Sequence, residues 1–396
     1  MTKRLLALWL ALACAGLLQA QRTGIEAAWD LAAKGQRDAA TTLLYQIVKT
    51  DPRNADARLL LGSLLMEAGQ HAASIEQLGE AVRLRPNSAE AHNALGETYS
   101  ASGDNKAARP EFERAVTLDP GFAQAHANLG AALLELGEAQ PAAAHLDRAL
   151  KLFGRTADAA YPHYLRAKIC SDNRDLAGAA AHLDQAVALR PDFPEAWSDL
   201  GEARKALLDD AGAVAAYQRA VELGPDDAVA QTRLGSMLLD LGRAHEAVPH
   251  LREAARLDPK NQTALYALQS ALRKDGQADA ADAIRRQLVE LIRERDRNDQ
   301  ALVRAIEANN RGAELEKSGD LRGALEKYRA ALELQPEHVG IRINFGVTLL
   351  KLGQWNEGIF QLREALRRDP GNADLTKELQ DALAQARAHG IAISPP

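Results

Sequence analysis

Small and apolar residues recur along this chain in a fixed frame. Prolines stand at Pro52, Pro86, Pro120, Pro191, Pro225, Pro259, Pro336 and Pro370, and the steps between them are 34, 34, 71, 34, 34, 77 and 34 residues. The long steps are two 34-residue units plus 3 and plus 9 residues, so ten units fit between Gln21 and Asn372. Glycines keep the same frame. Gly62, Gly96, Gly130, Gly201, Gly235, Gly312 and Gly346 lie 24 residues before the proline place, and Gly35, Gly69, Gly103, Gly137, Gly242, Gly276, Gly319 and Gly353 lie 17 before it. Each unit therefore predicts two helical segments, broken by a glycine suited to a left-handed turn and closed by a proline that has no amide donor.

The residues around these markers say how the helices meet. Gly96, Ala108 and Ala115 remove bulk where two helices cross, while Leu95, Tyr99 and Phe112 supply apolar area. Asn54, Ser88, Asp227, Asn261 and Asn372 each stand two residues after a proline, as N-caps of the next helix. One such unit cannot bury its own apolar face, so neighbours must stack into one continuous core. The segment Asp374 to Ala388, with Leu375, Leu379 and Leu383 on one stripe, reads as a capping helix within a 373–396 tail.

Leu61-Gly62, Gly69, Leu78, Ala81 and Pro86, followed by Leu95-Gly96, Tyr99, Gly103, Ala108, Phe112, Ala115 and Pro120, resemble the tetratricopeptide repeat pattern over residues 21–372. The resemblance implies an all-α, right-handed superhelical solenoid of antiparallel helix pairs. It also implies a concave groove lined by the first helices, at places two, five, nine, twelve and thirteen of the unit. Those places hold Asp56, Glu67, Glu90, Asn93, Glu97, Gln124 and Glu135 in units two to four, and Arg273, Lys274, Lys317 and Lys351 in units eight to ten. A groove running from acidic to basic would orient an extended protein or peptide ligand by steering, the competing reading being ordinary charged, solvated helix faces. Tyr161, Tyr164, Lys168 and Tyr266 are its aromatic and cationic anchors, with local packing as the competing reading of the two clustered tyrosines. The family's carboxylate-clamp variant is not reproduced, and Asn93, Asn128, Asn309, Asn310 and Asn344 read as scattered rather than as an asparagine ladder.

Two places depart from the pattern. Unit four carries Arg155 where the proline belongs, three extra residues fall near Thr156 to Ala159, and Ala167 and Arg174 replace the two glycines of unit five. Farther on, no proline or glycine occurs between Gly276 and Gly312, and Arg285 to Asn298 is densely charged with both signs, which predicts an extended solvated helix. The expected organisation is an array of about eight units over 21–295, a charged connector over 296–304 and two further units over 305–372. Leu288, Leu291 and Ile292 offer the 285–300 helix a route to self-association.

At the N-terminus, Lys3 and Arg4 precede the 14-residue apolar run Leu5 to Leu18, and Ala20 ends a small-residue cleavage site. That is the pattern of an export signal over residues 1–20, too short for a spanning helix and expected to leave a periplasmic or secreted chain without a membrane span. The competing reading is lipidation at Cys14, although the box around it lacks the leading leucine. After cleavage only Cys170 remains, so no intramolecular disulfide can form, and a lone cysteine in a helical pattern reads as a small core residue.

Composition narrows function by exclusion. The 396 residues are 46% hydrophobic, 26% charged and 4% aromatic, with a net charge of -6. Cleavage after Ala20 removes two basic residues and no acid, leaving 46 basic against 54 acidic side chains, or -8. No clustered basic footprint for nucleic acid is present. The sequence holds no nucleophile elbow, phosphate loop or paired-cysteine framework, so no catalytic residue and no cofactor is assigned. His245 and His250 are five apart with Pro249 between them, which does not fit a two-histidine zinc helix. His92, His126 and His163 recur at the fourth place of their units and His145, His182 and His250 at the twenty-third, and these are expected to pack between helices rather than hold a metal. The expectation is an exported, non-catalytic scaffold that binds partner proteins. Alternatives are an envelope-assembly or polysaccharide-export component, or the recognition module of a separate catalytic chain.

Overall fold

The computed structural model describes residues 24–393, and every regular element among them is helical. The export signal expected over 1–20, with Cys14, lies outside the described residues. A helix α1 covers residues 24–33. It is followed by α2 (Arg37–Thr50), α3 (Ala55–Glu67), α4 (His71–Leu84), α5 (Ala89–Ala101), α6 (Asn105–Leu118), α7 (Ala123–Glu135) and α8 (Ala139–Phe153). A short 3-10 turn, Ala157–Ala159, leads into α9 (Ala160–Asp172), α10 (Leu176–Leu189), α11 (Pro194–Ala206), α12 (Asp210–Leu223), α13 (Ala228–Asp240) and α14 (Ala244–Leu257). Then come α15 (Gln262–Lys274), α16 (Ala278–Lys317), α17 (Leu321–Leu334), α18 (Val339–Lys351), α19 (Trp355–Arg368) and α20 (Ala373–Ala388).

The helices form two compact units, one ending at Pro259 and one beginning at Lys260. In the first, α1 to α14 make seven successive antiparallel pairs. In the second, α16 is a single helix of 40 residues that packs on α15 with its first part and on α17 with its last, burying Ala281 and Leu288, then Ala305 and Gly312. The charged stretch 285–298 lies inside α16, and the division between compact units falls one helix, α15, upstream of α16. Leu288 is 2% exposed, so it is engaged within its own fold, while the large apolar residues that α16 exposes are Val289, Leu302, Val303 and Ile306.

Two features explain why most pairs close alike. The first is a glycine against a large side chain 16 residues later. A Cβ on Gly96 would stand 2.7 Å from the Phe112 ring, one on Gly130 2.7 Å from Leu146, and one on Gly201 2.5 Å from the Tyr217 ring. At these crossings the missing side chain makes room for the facing ring or leucine. The second is the cap. Asn54, Ser88, Asp227, Asn261 and Asn372 each accept a hydrogen bond from a backbone N–H in the first turn that follows, as the sequence predicts. His338 does the same at its junction, and Asp104, Asp175, Asp209 and Asp320 cap second helices. The turn between paired helices uses a left-handed residue, such as Gly103 at φ 85°, and at two turns a non-glycine takes the position: Arg174 and Leu208, both at φ 62°.

Candidate functional site

The polar side chains of the repeat fall into two sets with different sequence steps. The first set clasps each unit internally. The fourth residue of a first helix bonds the residue 19 positions later on the second helix: Arg58 to Gln77 at 2.6 Å, His92 to Glu111 at 2.6 Å, His126 to His145 at 3.0 Å, His163 to His182 at 2.9 Å, His250 to Gln231 at 2.9 Å and Arg342 to Gln361 at 2.6 Å. Fourth-place residues also reach the carbonyl of the proline six residues earlier, Trp197 of α11 among them. Arg58 donates to Pro52 at 2.9 Å, Trp197 to Pro191 at 2.9 Å, Gln231 to Pro225 at 3.0 Å, and His92 lies 3.2 Å from the Pro86 carbonyl. The proline thus closes one helix and offers its carbonyl to the next unit. The histidine recurrence seen in the sequence belongs to this clasp. Burial holds His163 down at about 4, with His182 adding to the effect, and burial likewise lowers His126, His145, His182 and His250 from the ordinary value.

The second set joins first helices of neighbouring units, at a step of 35 residues. Asn128 donates to Asn93 at 3.0 Å, Arg233 to Ser198 at 2.7 Å, Lys205 to Asp240 at 2.8 Å, Asn344 to Asn309 at 2.9 Å and Lys351 to Glu316 at 2.6 Å. This corrects the reading of the asparagines as scattered: Asn93 and Asn128 form one rung, and Asn309 and Asn344 another. Glu97 accepts from both Asn93 at 3.0 Å and Asn128 at 2.7 Å, and Gln124 donates to Asn128 at 2.9 Å. The first-helix face of the N-terminal unit is therefore a bonded polar surface, with Asn93 buried and Glu97 half-buried at its centre.

The acidic residues expected on this face have local partners. Arg85 holds Asp56 through both guanidinium nitrogens, one bond being 2.8 Å, and Arg37 bonds Glu67 at 2.8 Å. Glu90 accepts from Ser88 at 2.9 Å, and Glu135 is exposed. Asp56, Glu67, Glu90 and Asn93 line one cleft of about 750 Å³ between α1, α3 and α5, floored by Ile25, Leu59, Leu60, Leu64 and Ala94. Trp29, 61% exposed, stands on the same cleft and was missed in the sequence. It occupies place nine of the first unit, so extending the groove places one unit toward the N-terminus finds it together with Ile25.

Tyr161, Tyr164 and Lys168 are brought together on α9. The two rings stack with centroids 6.3 Å apart, and the Lys168 ammonium lies 5.9 Å from the Tyr164 centroid. Their environments differ. Tyr161 is 46% exposed, whereas the Tyr164 ring packs against Phe193 at 4.9 Å and joins the core on both sides. Burial, reinforced by Asp199, pushes the Tyr164 phenol up to about 12, and burial with Glu135 nearby raises Tyr161. Lys168 also lines a second cleft of about 410 Å³, facing Asp172, Asp199 and Glu202. Cys170 is buried, and burial raises its thiol.

Tyr266, Arg273 and Lys274 belong to α15 of the second compact unit. Tyr266 is 50% exposed, Arg273 lies 3.9 Å from Asp282, and Lys274 is exposed in the last turn. Among the described residues no helix is long and apolar enough to cross a membrane.

Three family models, each described as a tetratricopeptide repeat, match the chain. One covers residues 31–97, 99–169 and 315–386, a second 164–228 and a third 228–261. The BBSome complex member bbs-4 of Caenorhabditis elegans is 30% identical over 79 residues, which are 20% of this chain and 17% of that protein. The chain thus spans less than a fifth of that relative's length. Among solved structures, Pseudomonas aeruginosa PilF is 19% identical with a TM-score of 0.49, over 54% of this chain and 97% of its own. A repeat protein from Parabacteroides merdae is 14% identical with a TM-score of 0.46, over 64% of this chain and 99% of its own.

Proposed function

Because the chain belongs to the tetratricopeptide repeat family, we propose that it is an exported, non-catalytic scaffold that holds a partner protein or peptide along the face built by successive first helices. The observation that carries this reading is the row of bonds at a 35-residue step, which fixes the first helices of neighbouring units against one another through side chains. A surface held in this way loses little conformational entropy when a ligand lies along it, which favours recognition. Exposed Trp29 and Tyr161 supply large anchors on that surface, of the kind that dominate binding energy. Export rests on the basic start and short apolar run of residues 1–20.

The test is crosslinking capture from the envelope fraction of the source cell, comparing the parent chain with Tyr161→Ala and with Tyr164→Phe, which keeps the packed ring. Capture by the parent and by Tyr164→Phe, with loss in a folded Tyr161→Ala, supports the reading. Equal capture by all three removes Tyr161 from the binding surface, and recovery of the protein only from the cytoplasm contradicts export.

A further inference from the structure

The cleft between α1, α3 and α5 combines an apolar floor with an acidic rim and an exposed indole, Trp29. Its rim carries four carboxylates, Glu26, Asp56, Glu67 and Glu90, of which Glu67 is paired with Arg37 and Asp56 with Arg85. The ion pairs that Asp56 and Glu67 make are exposed at both partners, so each is weak and open to exchange with a cation brought by a ligand. The floor is aliphatic, and Trp29 presents a large, mostly exposed indole to it. Its volume of about 750 Å³ suits a few side chains rather than a whole domain.

We propose that this cleft is a docking site for a partner's peptide segment that places one bulky apolar side chain against Trp29 and one or two Lys or Arg residues on the surrounding carboxylates. Charge and shape complementarity select this occupant. An acidic segment would meet repulsion at the rim and an uncharged polar one would leave the floor unfilled, whereas an apolar residue flanked by cations satisfies both. Cation–π contact with Trp29 adds a second role for a flanking Arg or Lys. This deepens the proposed scaffold function and rests on it for the identity of the surface.

The test uses the full purified chain and a fluorescein-labelled panel of nine-residue peptides, each with a central Leu, Phe or Trp and Lys or Arg at one or two flanking positions. Matched controls replace the flanking cations by Glu or the central residue by Ser. Fluorescence anisotropy should show binding of cationic apolar peptides that weakens at least tenfold in Trp29→Ala and in Glu90→Lys, and weakens as salt rises. Phe360→Ala, an exposed aromatic on α19, should bind as the parent does. Binding that is unchanged in Trp29→Ala and Glu90→Lys, equal binding of the Glu-flanked peptides, or no binding by the parent overturns the proposal. So does a concentration-dependent dimer that Trp29→Ala abolishes, since the cleft then holds a second copy of the chain. If an envelope partner is captured equally by the parent and Trp29→Ala, the cleft assignment fails while the scaffold reading stands. If the panel binds as expected and no envelope partner is captured, the reverse holds.

Discussion

Asn128 donates through Nδ2 to the Oδ1 of Asn93 at 3.0 Å, across two neighbouring first helices and 35 residues apart. Because Asn93 is 6% exposed, its amide must be paired inside the fold. Replacing Asn93 by Ala removes this bond and the one to Glu97, and is expected to cost about 1–2 kcal/mol. In a repeat array the loss is local. Hydrogen exchange should quicken in α5 and α7 and stay unchanged in α13.

Two glycines on neighbouring helices should respond to the same substitution with opposite signs. A Cβ at Gly96 meets the Phe112 ring at 2.7 Å, whereas one at Gly79, within α4, meets nothing within 4 Å. Gly96→Ala is therefore expected to destabilise by about 1–3 kcal/mol through overpacking. Gly79→Ala should stabilise by up to about 1 kcal/mol, since alanine is the better helix former. Urea midpoints of the two variants decide this.

Leu208 sits at φ 62° and is 86% exposed, at a turn where most units place glycine. The left-handed conformation costs a branched side chain about 1 kcal/mol that glycine does not incur. Leu208→Gly should raise the thermal midpoint slightly, while Gly103→Leu, which imposes the same strain at φ 85°, should lower it.

The buried histidine pairs make acid unfavourable to the fold. His163 is held at about 4, below the ordinary histidine value of 6.5, so the unfolded chain takes up its proton first as the pH falls. The stabilisation is present above 6.5 and is lost as the pH falls toward 4, and His182, also lowered, adds to the effect. Unit seven shows a replacement in which glutamine faces histidine, Gln231 to His250 at 2.9 Å. His163→Gln copies it, and its thermal midpoint should fall less than the parent's between pH 7 and pH 4.5.

The fold was legible because its markers repeat at a constant step: proline ends, glycine crossings and cap residues such as Asn54 and Asn372 all act locally. The clasp was half legible. Its histidines recur visibly, but other units use Arg58, Gln231 or Arg342 at the same place, so the geometry is constant while the residue type is not. The asparagine rungs were hidden for a different reason. Adjacent first helices bring place five of one unit to place six of the next, so the partners Asn93 and Asn128 are one residue out of the 34-residue frame. The site was least legible where charges compensate: Arg37 opens a second helix and Arg85 caps the end of another, and their pairing with Asp56 and Glu67 cannot be read from first-helix positions alone.

The most direct test of the binding face is site-resolved photocrosslinking in the source cell. A photoreactive phenylalanine is placed singly at Gln124 or Tyr161 on first helices, and at Lys151 or Gln218 on second helices, all exposed positions of the N-terminal unit. Adducts with one partner are expected from Gln124 and Tyr161 and none from Lys151 or Gln218. Adducts confined to the second-helix positions would place the partner on the opposite surface and contradict this expectation.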